Sequence, residues 1–200
     1  MNKNTKIVII VGLVVAVAAL SVAYAVLQQS LSINSTATVA SGSWDVGFQS
    51  ASGECTVATN ANNTSNPATG TWTADNSASP KAATVTVALN LPGDSVTCDI
   101  PIANTGDINA VLTTFNTGSD AYAYTAGGTV AAADQALVSS TVSYLDSSKA
   151  EVTTPVNSSL AATTGVAYVR VVYTYPAEKT ALPSSEMTVS RTISLTYEQA

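Results

Sequence analysis

Between residues 84 and 115 the chain alternates apolar and polar side chains with a period of two, broken by two turns. Val85, Val87, Leu89 and Leu91 alternate with Thr84, Thr86, Ala88 and Asn90, a pattern that buries one face of a strand and wets the other. Pro92-Gly93-Asp94-Ser95 then interrupts it, with proline presetting φ and glycine admitting φ > 0. The alternation resumes on even positions, Val96, Cys98, Ile100 and Ile102, until Asn104-Thr105-Gly106-Asp107 makes the next turn. Residues 108–115 supply a further strand. The centre of the chain is antiparallel β.

The same period extends in both directions. Residues 27–39 place Leu27, Leu31, Ile33, Ala37 and Val39 on odd positions, with Gln29 and Ser35 as exceptions, and polar side chains on even ones. Residues 43–49 read as a short strand with Trp44, Val46 and Phe48 on one face. Two more short strands are expected at 55–59 and 69–74, around an Asn-rich loop and the apolar anchor Trp72. Residues 117–128 are rich in small side chains and read as a flexible insertion in which Tyr122 and Tyr124 alternate. Residues 130–139 suit one or two helical turns, 138–145 a strand, and 147–155 a turn or short hairpin. The run 165–175 is strongly β, with Val169, Val171, Tyr173 and Tyr175 on one face. A loop with two prolines follows at 176–185. A closing strand at 187–197 points Met187, Val189, Ile193, Leu195 and Tyr197 inward, and Arg191 interrupts that face, which places it near a sheet rim. Nine or ten short strands with Gly, Pro and Asn turns and almost no helix imply an all-β antiparallel sandwich over residues 41–200.

The N-terminus differs in kind. Lys3 and Lys6 flank an apolar run at 7–20, and Ala23-Tyr24-Ala25 places small residues where a signal peptidase reads. Basic start, apolar middle and A-x-A end describe a secretory signal peptide at 1–25, with the mature chain beginning near Val26. The alternative is a retained anchor, since residues 7–27 are long enough to span a bilayer. Export suits Cys55 and Cys98, the only cysteines, because an even pair outside the cytosol is usually oxidised. A bond between them closes a loop of about 40 residues and removes about 4 kcal/mol of unfolded-state entropy.

A P-G-D-S turn, an alternating strand, an N-T-G turn and a strand opening I-x-A-x-L, all within residues 92–112, resemble the core signature of the TasA/camelysin family. The N-terminal segment is similar to the signal peptides of that family. These are exported bacterial proteins with a jelly-roll domain that form surface or biofilm-matrix fibres, and archaeal bundling pilins are similar. The resemblance implies a jelly roll, a homopolymer, cleavage by a signal peptidase, and an accessory matrix or anchor protein as a further partner. It also implies that residues 26–40 form a donor strand that completes a neighbour's sheet. Leu27, Leu31 and Ile33 supply the alternate apolar positions that such donation requires.

Composition narrows the chemistry. The chain is 46% hydrophobic and 10% charged, with net charge −6 and no histidine. Without His the usual general base and the commonest metal ligand are absent, and two cysteines cannot close a zinc site. No H-E-x-x-H or S-x-x-K motif stands in the mature chain, so neither catalytic residues nor a cofactor is expected. Asp94, Asp99 and Asp107 are near enough in sequence to meet around calcium, but two of them sit in turns, where Asp hydrogen-bonds its own backbone. With seven basic residues in all, a phosphate-binding patch is not available, and nucleic acid is excluded as a partner. Asn34, Asn62, Asn63 and Asn157 open N-x-S/T triplets, which arise by chance in so Ser/Thr-rich a chain. The expected function is a secreted structural subunit of extracellular fibres. The competing expectation is a monomeric secreted or membrane-tethered β-sandwich that binds a ligand, which would need a groove lined with exposed Trp or Tyr.

Overall fold

The computed structural model describes residues 2–5, 13–16, 42–49, 52–62, 66–75 and 81–200. The chain divides into two units, Met1–Ala40 and Ser41–Ala200. In the first, the expected cleavage positions Ala23, Ala25 and Val26 and the donor positions Leu27, Leu31 and Ile33 lie outside the described residues. Among the described residues no helix is long and apolar enough to cross a membrane.

The second unit is built from strands β1 (Val46–Phe48), β2 (Ser52–Glu54), β3 (Thr56–Ala58), β4 (Thr69–Asp75), β5 (Lys81–Ala88), β6 (Ser95–Asn104), β7 (Ala110–Asn116), β8 (Asp120–Tyr124), β9 (Ser139–Leu145), β10 (Ser159–Leu160), β11 (Gly165–Thr174) and β12 (Met187–Gln199), with one helical turn at Ala132–Gln135. All pairings are antiparallel. One sheet runs β1-β6-β11-β9, with β3 beside β1 on the same edge of β6; the other runs β10-β7-β12-β5-β4-β2, with β8 also on β12.

The order of crossings defines the fold. The chain passes from β5 in one sheet to β6 in the other, back to β7 and β8, over to β9, and back to β10. It then crosses to β11 and finally to β12. Strands β5-β12-β7-β10 face β6-β11-β9, and a single bridge from Leu145 to Glu151 stands where an eighth strand belongs. That is a jelly roll, as the family resemblance implied, with β1–β4 added along one side.

The period-two pattern explains where the core lies. Val85 and Val87 of β5, Val96, Cys98, Ile100 and Ile102 of β6, Val169, Val171 and Tyr173 of β11, and Val189 and Ile193 of β12 are buried between the sheets. The opposite face of the β4–β5–β12 sheet is hydroxylic. Thr71, Thr86 and Ser190 lie side by side in one cross-strand row, and Thr73, Thr84 and Thr192 in the next. Thr84 Oγ1 and Thr192 Oγ1 are 2.9 Å apart.

Four readings need correction. Residues 117–128 are not a free insertion: Asp120–Tyr124 is β8, paired with Met187–Arg191 of β12. β7 and β8 run along the same edge of β12, and only residues 117–119 separate them. Gly118 has φ +64, and a Cβ there would lie 2.1 Å from the Thr192 carbonyl oxygen, so only glycine fits the break. Trp44 precedes β1 rather than belonging to it and is 37% exposed, while Val46 and Phe48 are buried. Leu91 is half-buried, because β5 ends at Ala88 and Leu91 has entered the turn. The described strands number twelve rather than nine or ten, the surplus being pieces of two to five residues.

Candidate functional site

The two long sides of the sandwich are built differently. On one side the chain itself wraps the edge: β2 is outermost in one sheet, β3 is outermost in the other, and Cys55 lies between them. Cys55 and Cys98 form the expected disulfide, which ties this crossing to β6 in the core, and the Cys55 N–H donates to the Gly70 carbonyl at 3.0 Å. Cys98 is fully buried. This side is closed.

The other side is open. β9 pairs with β11 along its whole length, but among the described residues its outer edge meets only Glu151, through Leu145, and the Val152 N–H, which donates to the Tyr144 carbonyl at 2.9 Å. Among the described residues no strand pairs with the outer edge of 139–143. The facing edge of β7 pairs with β10 at Ala110 and Val111 and bonds residues 157 and 158 through Leu112, and among the described residues β8 has no strand on its outer side. Half-buried Phe115, Tyr122 and Val142 line this seam against the core, and Phe115 meets Tyr144 edge to face with centroids 6.0 Å apart.

One carboxylate holds the open side together. Asp120 Oδ1 accepts from Tyr173 OH at 2.7 Å and from Arg191 Nε at 2.8 Å, and its Oδ2 accepts from Ser140 Oγ at 2.7 Å. Arg191 Nη2 also donates to Ser140 Oγ at 2.9 Å. Asp120 and Arg191 come from one sheet, Ser140 and Tyr173 from the other, so the cluster is a polar clamp between sheets. The Asp120 and Arg191 side chains are only 14% and 13% exposed. Burial pushes the Asp120 carboxyl up, but the bonds from Arg191, Ser140 and Tyr173 outweigh it and hold the group below the usual carboxylate range. Burial and the same carboxylate push the Tyr173 hydroxyl up. The carboxylate is held ionised and the phenol protonated. Their chemistry is adhesion between the sheets.

The remaining acidic residues do not converge. Asp94, fully buried, accepts backbone N–H groups from Asn60, Asn90 and Leu91 at 2.6, 2.9 and 2.9 Å. The P-G-D-S turn is thus a turn stabilised by its own aspartate. Gly93, with φ +95, donates to the Tyr175 carbonyl and docks that turn on the end of β11. Asp99 pairs with Arg170 at 2.7 Å and Lys149 at 2.9 Å on the outer face. Asp107 accepts from the Ser43 backbone N–H and hydroxyl at 3.0 and 2.8 Å. In the N-T-G turn, Asn104 is buried and donates to the carbonyls of Ile108 and Leu160. Among the described residues no three His, Cys, Asp or Glu side chains gather at a metal distance.

Sequence reasoning placed Arg191 on the inward face, where it lies, but not at the rim expected, since it pairs with Val85 on one side and Asp120 on the other, and it missed its partner. Asp120 stands 71 residues away in a stretch with weak apolar signal, and only the break in the β12 pattern hinted that an acid was needed there. Trp72 is buried in the core, so the exposed tryptophan platform of a ligand-binding sandwich is reduced to Trp44, beside a small depression lined by Val46, Phe48, Ile102, Leu195 and Tyr197.

Fold and site together define a disulfide-bonded jelly-roll sandwich with one closed and one open side. No family model, no curated protein and no solved structure matches the chain.

Proposed function

We propose that the protein is an exported, non-catalytic structural subunit that polymerises by strand donation, residues 26–40 of one copy completing the open side of the next. The observation that carries this reading is the outer edge of β9 at 139–143, with which no strand pairs among the described residues, beside the half-buried Phe115, Tyr122 and Val142. A strand added to a sheet edge gains main-chain hydrogen bonds, and pockets for alternate side chains give it specificity. Leu27, Leu31 and Ile33 are alternate apolar positions on a segment that immediately precedes the domain. Their burial is worth roughly 5–9 kcal/mol before ordering costs, at ~1.5–3 each. Cleavage after Ala25 by a signal peptidase frees that segment. The proposed location is outside the cell, in fibres of a matrix or surface, with an accessory anchor protein as a further partner. The disulfide fits an oxidising compartment.

Negative-stain microscopy of the mature protein tests this. Fibres are expected from protein beginning at Val26. Protein lacking residues 26–34 should remain folded and form none, and a peptide of those residues should bind it and cap the edge. Leu31→Asp or Ile33→Asp should mimic the truncation, because a carboxylate in an apolar pocket is desolvated without a partner. Unfolding of the truncated monomer would assign the strand to its own sheet, and persistence of fibres would rule out donation.

A further inference from the structure

The asparagines of the described domain fall into two groups. Asn60 donates to the Pro92 carbonyl, and Asn90 to those of Asn66 and Pro67. Asn104 bonds Ile108, Leu160 and Gly106; Asn109 accepts from the Ala162 N–H, and Asn116 from the Gly118 N–H. Asn66 is engaged as well. Each of these carboxamides or residues serves the fold, and none opens an N-x-S/T triplet. Among the described residues from 42 to 200, only the carboxamides of Asn62 and Asn157 meet no described partner, and both open such a triplet. Chance triplets need not coincide with idle side chains.

Asn157 is the better placed, because its whole triplet, Asn157-Ser158-Ser159, is described. It occupies the third position of a turn closed by the Ser158 N–H donating to the Pro155 carbonyl at 2.9 Å. Its φ of +75 is the left-handed conformation that a type II turn requires there, and which Asn tolerates. Its backbone N–H donates to the Leu112 carbonyl at 2.8 Å, and the Leu112 N–H donates to Ser158, so the main chain is anchored while the residue stays exposed. Ser159, the third member of the triplet, is exposed too.

We propose that Asn157 is an N-glycan acceptor, a modification that rests on the export reading. In the transfer, the carboxamide nitrogen bonds to the anomeric carbon of a glycan carried on a polyprenyl phosphate or pyrophosphate. The anomeric carbon–phosphate oxygen bond breaks, the lipid phosphate leaves with the electron pair, and the amide gives up one proton to the transferring enzyme. The glycan stands at the turn that leads into β10, beside the point where the pairing of β7 stops. A bulky solvated group there shields that edge from indiscriminate strand pairing and leaves the outer edge of β9 free.

Trypsin releases residues 150–170 as one peptide in which Asn157 is the sole asparagine. Mass spectrometry of this peptide, from protein made by its native producer and collected outside the cytoplasm, decides the matter. Expected is an oligosaccharide mass increment that electron-transfer fragmentation places on residue 157. Asn157→Gln and Ser159→Ala should abolish it, and Ser159→Thr should retain it. An unmodified peptide from exported protein, or an increment located on a Ser or Thr, overturns the proposal while leaving export intact. Full-length protein confined to the cytoplasm overturns both.

Discussion

The closed and open sides of the sandwich meet the same need, holding two sheets face to face, with different bonds. Residues 52–58 carry the chain across one side and a disulfide fixes the crossing. On the other side the chain crosses from β8 to β9 and from β9 to β10 without a covalent tie, and a carboxylate with its arginine, serine and tyrosine partners binds the sheets together. The covalent side is committed once the chain is oxidised. The polar side keeps main-chain groups in reserve, which is what an edge awaiting another strand must do.

Breaking the closed side should cost most. Reduction, or Cys98→Ser, is expected to remove about 2–5 kcal/mol, lowering Tm by about 10 °C for a domain of this size in calorimetry with and without reductant. The serine variant also buries a hydroxyl beside Val96 and Ile100, so it should melt no higher than the reduced protein. Free thiols in freshly exported protein would contradict the comparison at its root.

Opening the polar clamp should cost less. Asp120→Asn leaves Arg191 nearly buried without its counter-charge, at about 2–4 kcal/mol in denaturant unfolding. The double variant Asp120→Asn, Arg191→Met should recover part of that loss, since an uncharged pair carries no stranded charge. If the double variant is as unstable as the single one, the clamp works by shape rather than charge. By contrast, Asp99→Asn on the outer face should cost no more than about 1 kcal/mol, because that ion pair is partly exposed, at 35% for Arg170 and 20% for Asp99.

The pH dependence of Tm sharpens the same contrast more gently. The folded Asp120 and Asp99 carboxyls lie below their ordinary range, Asp120 despite its burial and Asp99 chiefly through the Arg170 bond. Their stabilisation is therefore present above the unfolded value of about 3.9 and is lost as pH falls through the folded values. The acid limb should be shallower in Asp120→Asn. Tyr173 and Tyr197 are pushed up, both chiefly by burial. They stabilise fully below about 10, and that stability declines as pH rises further.

Much of this fold was legible because strands buried on one face alternate visibly: β5, β6, β11 and β12 were read nearly to their ends. The disulfide was legible because two cysteines allow one pairing. β10 was not, since two residues carry no period, and neither was β8, whose outward positions are the weakly informative Ala121 and Ala123. The open side was illegible for a different reason. It is a strand reduced to the single residue Glu151, and a missing element leaves no pattern to find. The partnership of Asp120 with Arg191 became visible only once topology brought β8 beside β12.

The hydroxyl rows of Thr71, Thr86 and Ser190 and of Thr73, Thr84 and Thr192 bear on how this face responds to salt. Charge repulsion fades as salt rises, since the Debye length contracts from about 10 Å at 0.1 M to about 3 Å at 1 M. A face wetted by hydroxyls owes little to that repulsion. Its hydration shell persists where a charged surface would lose its mutual repulsion, so colloidal behaviour across this face is set by water rather than by ionic strength.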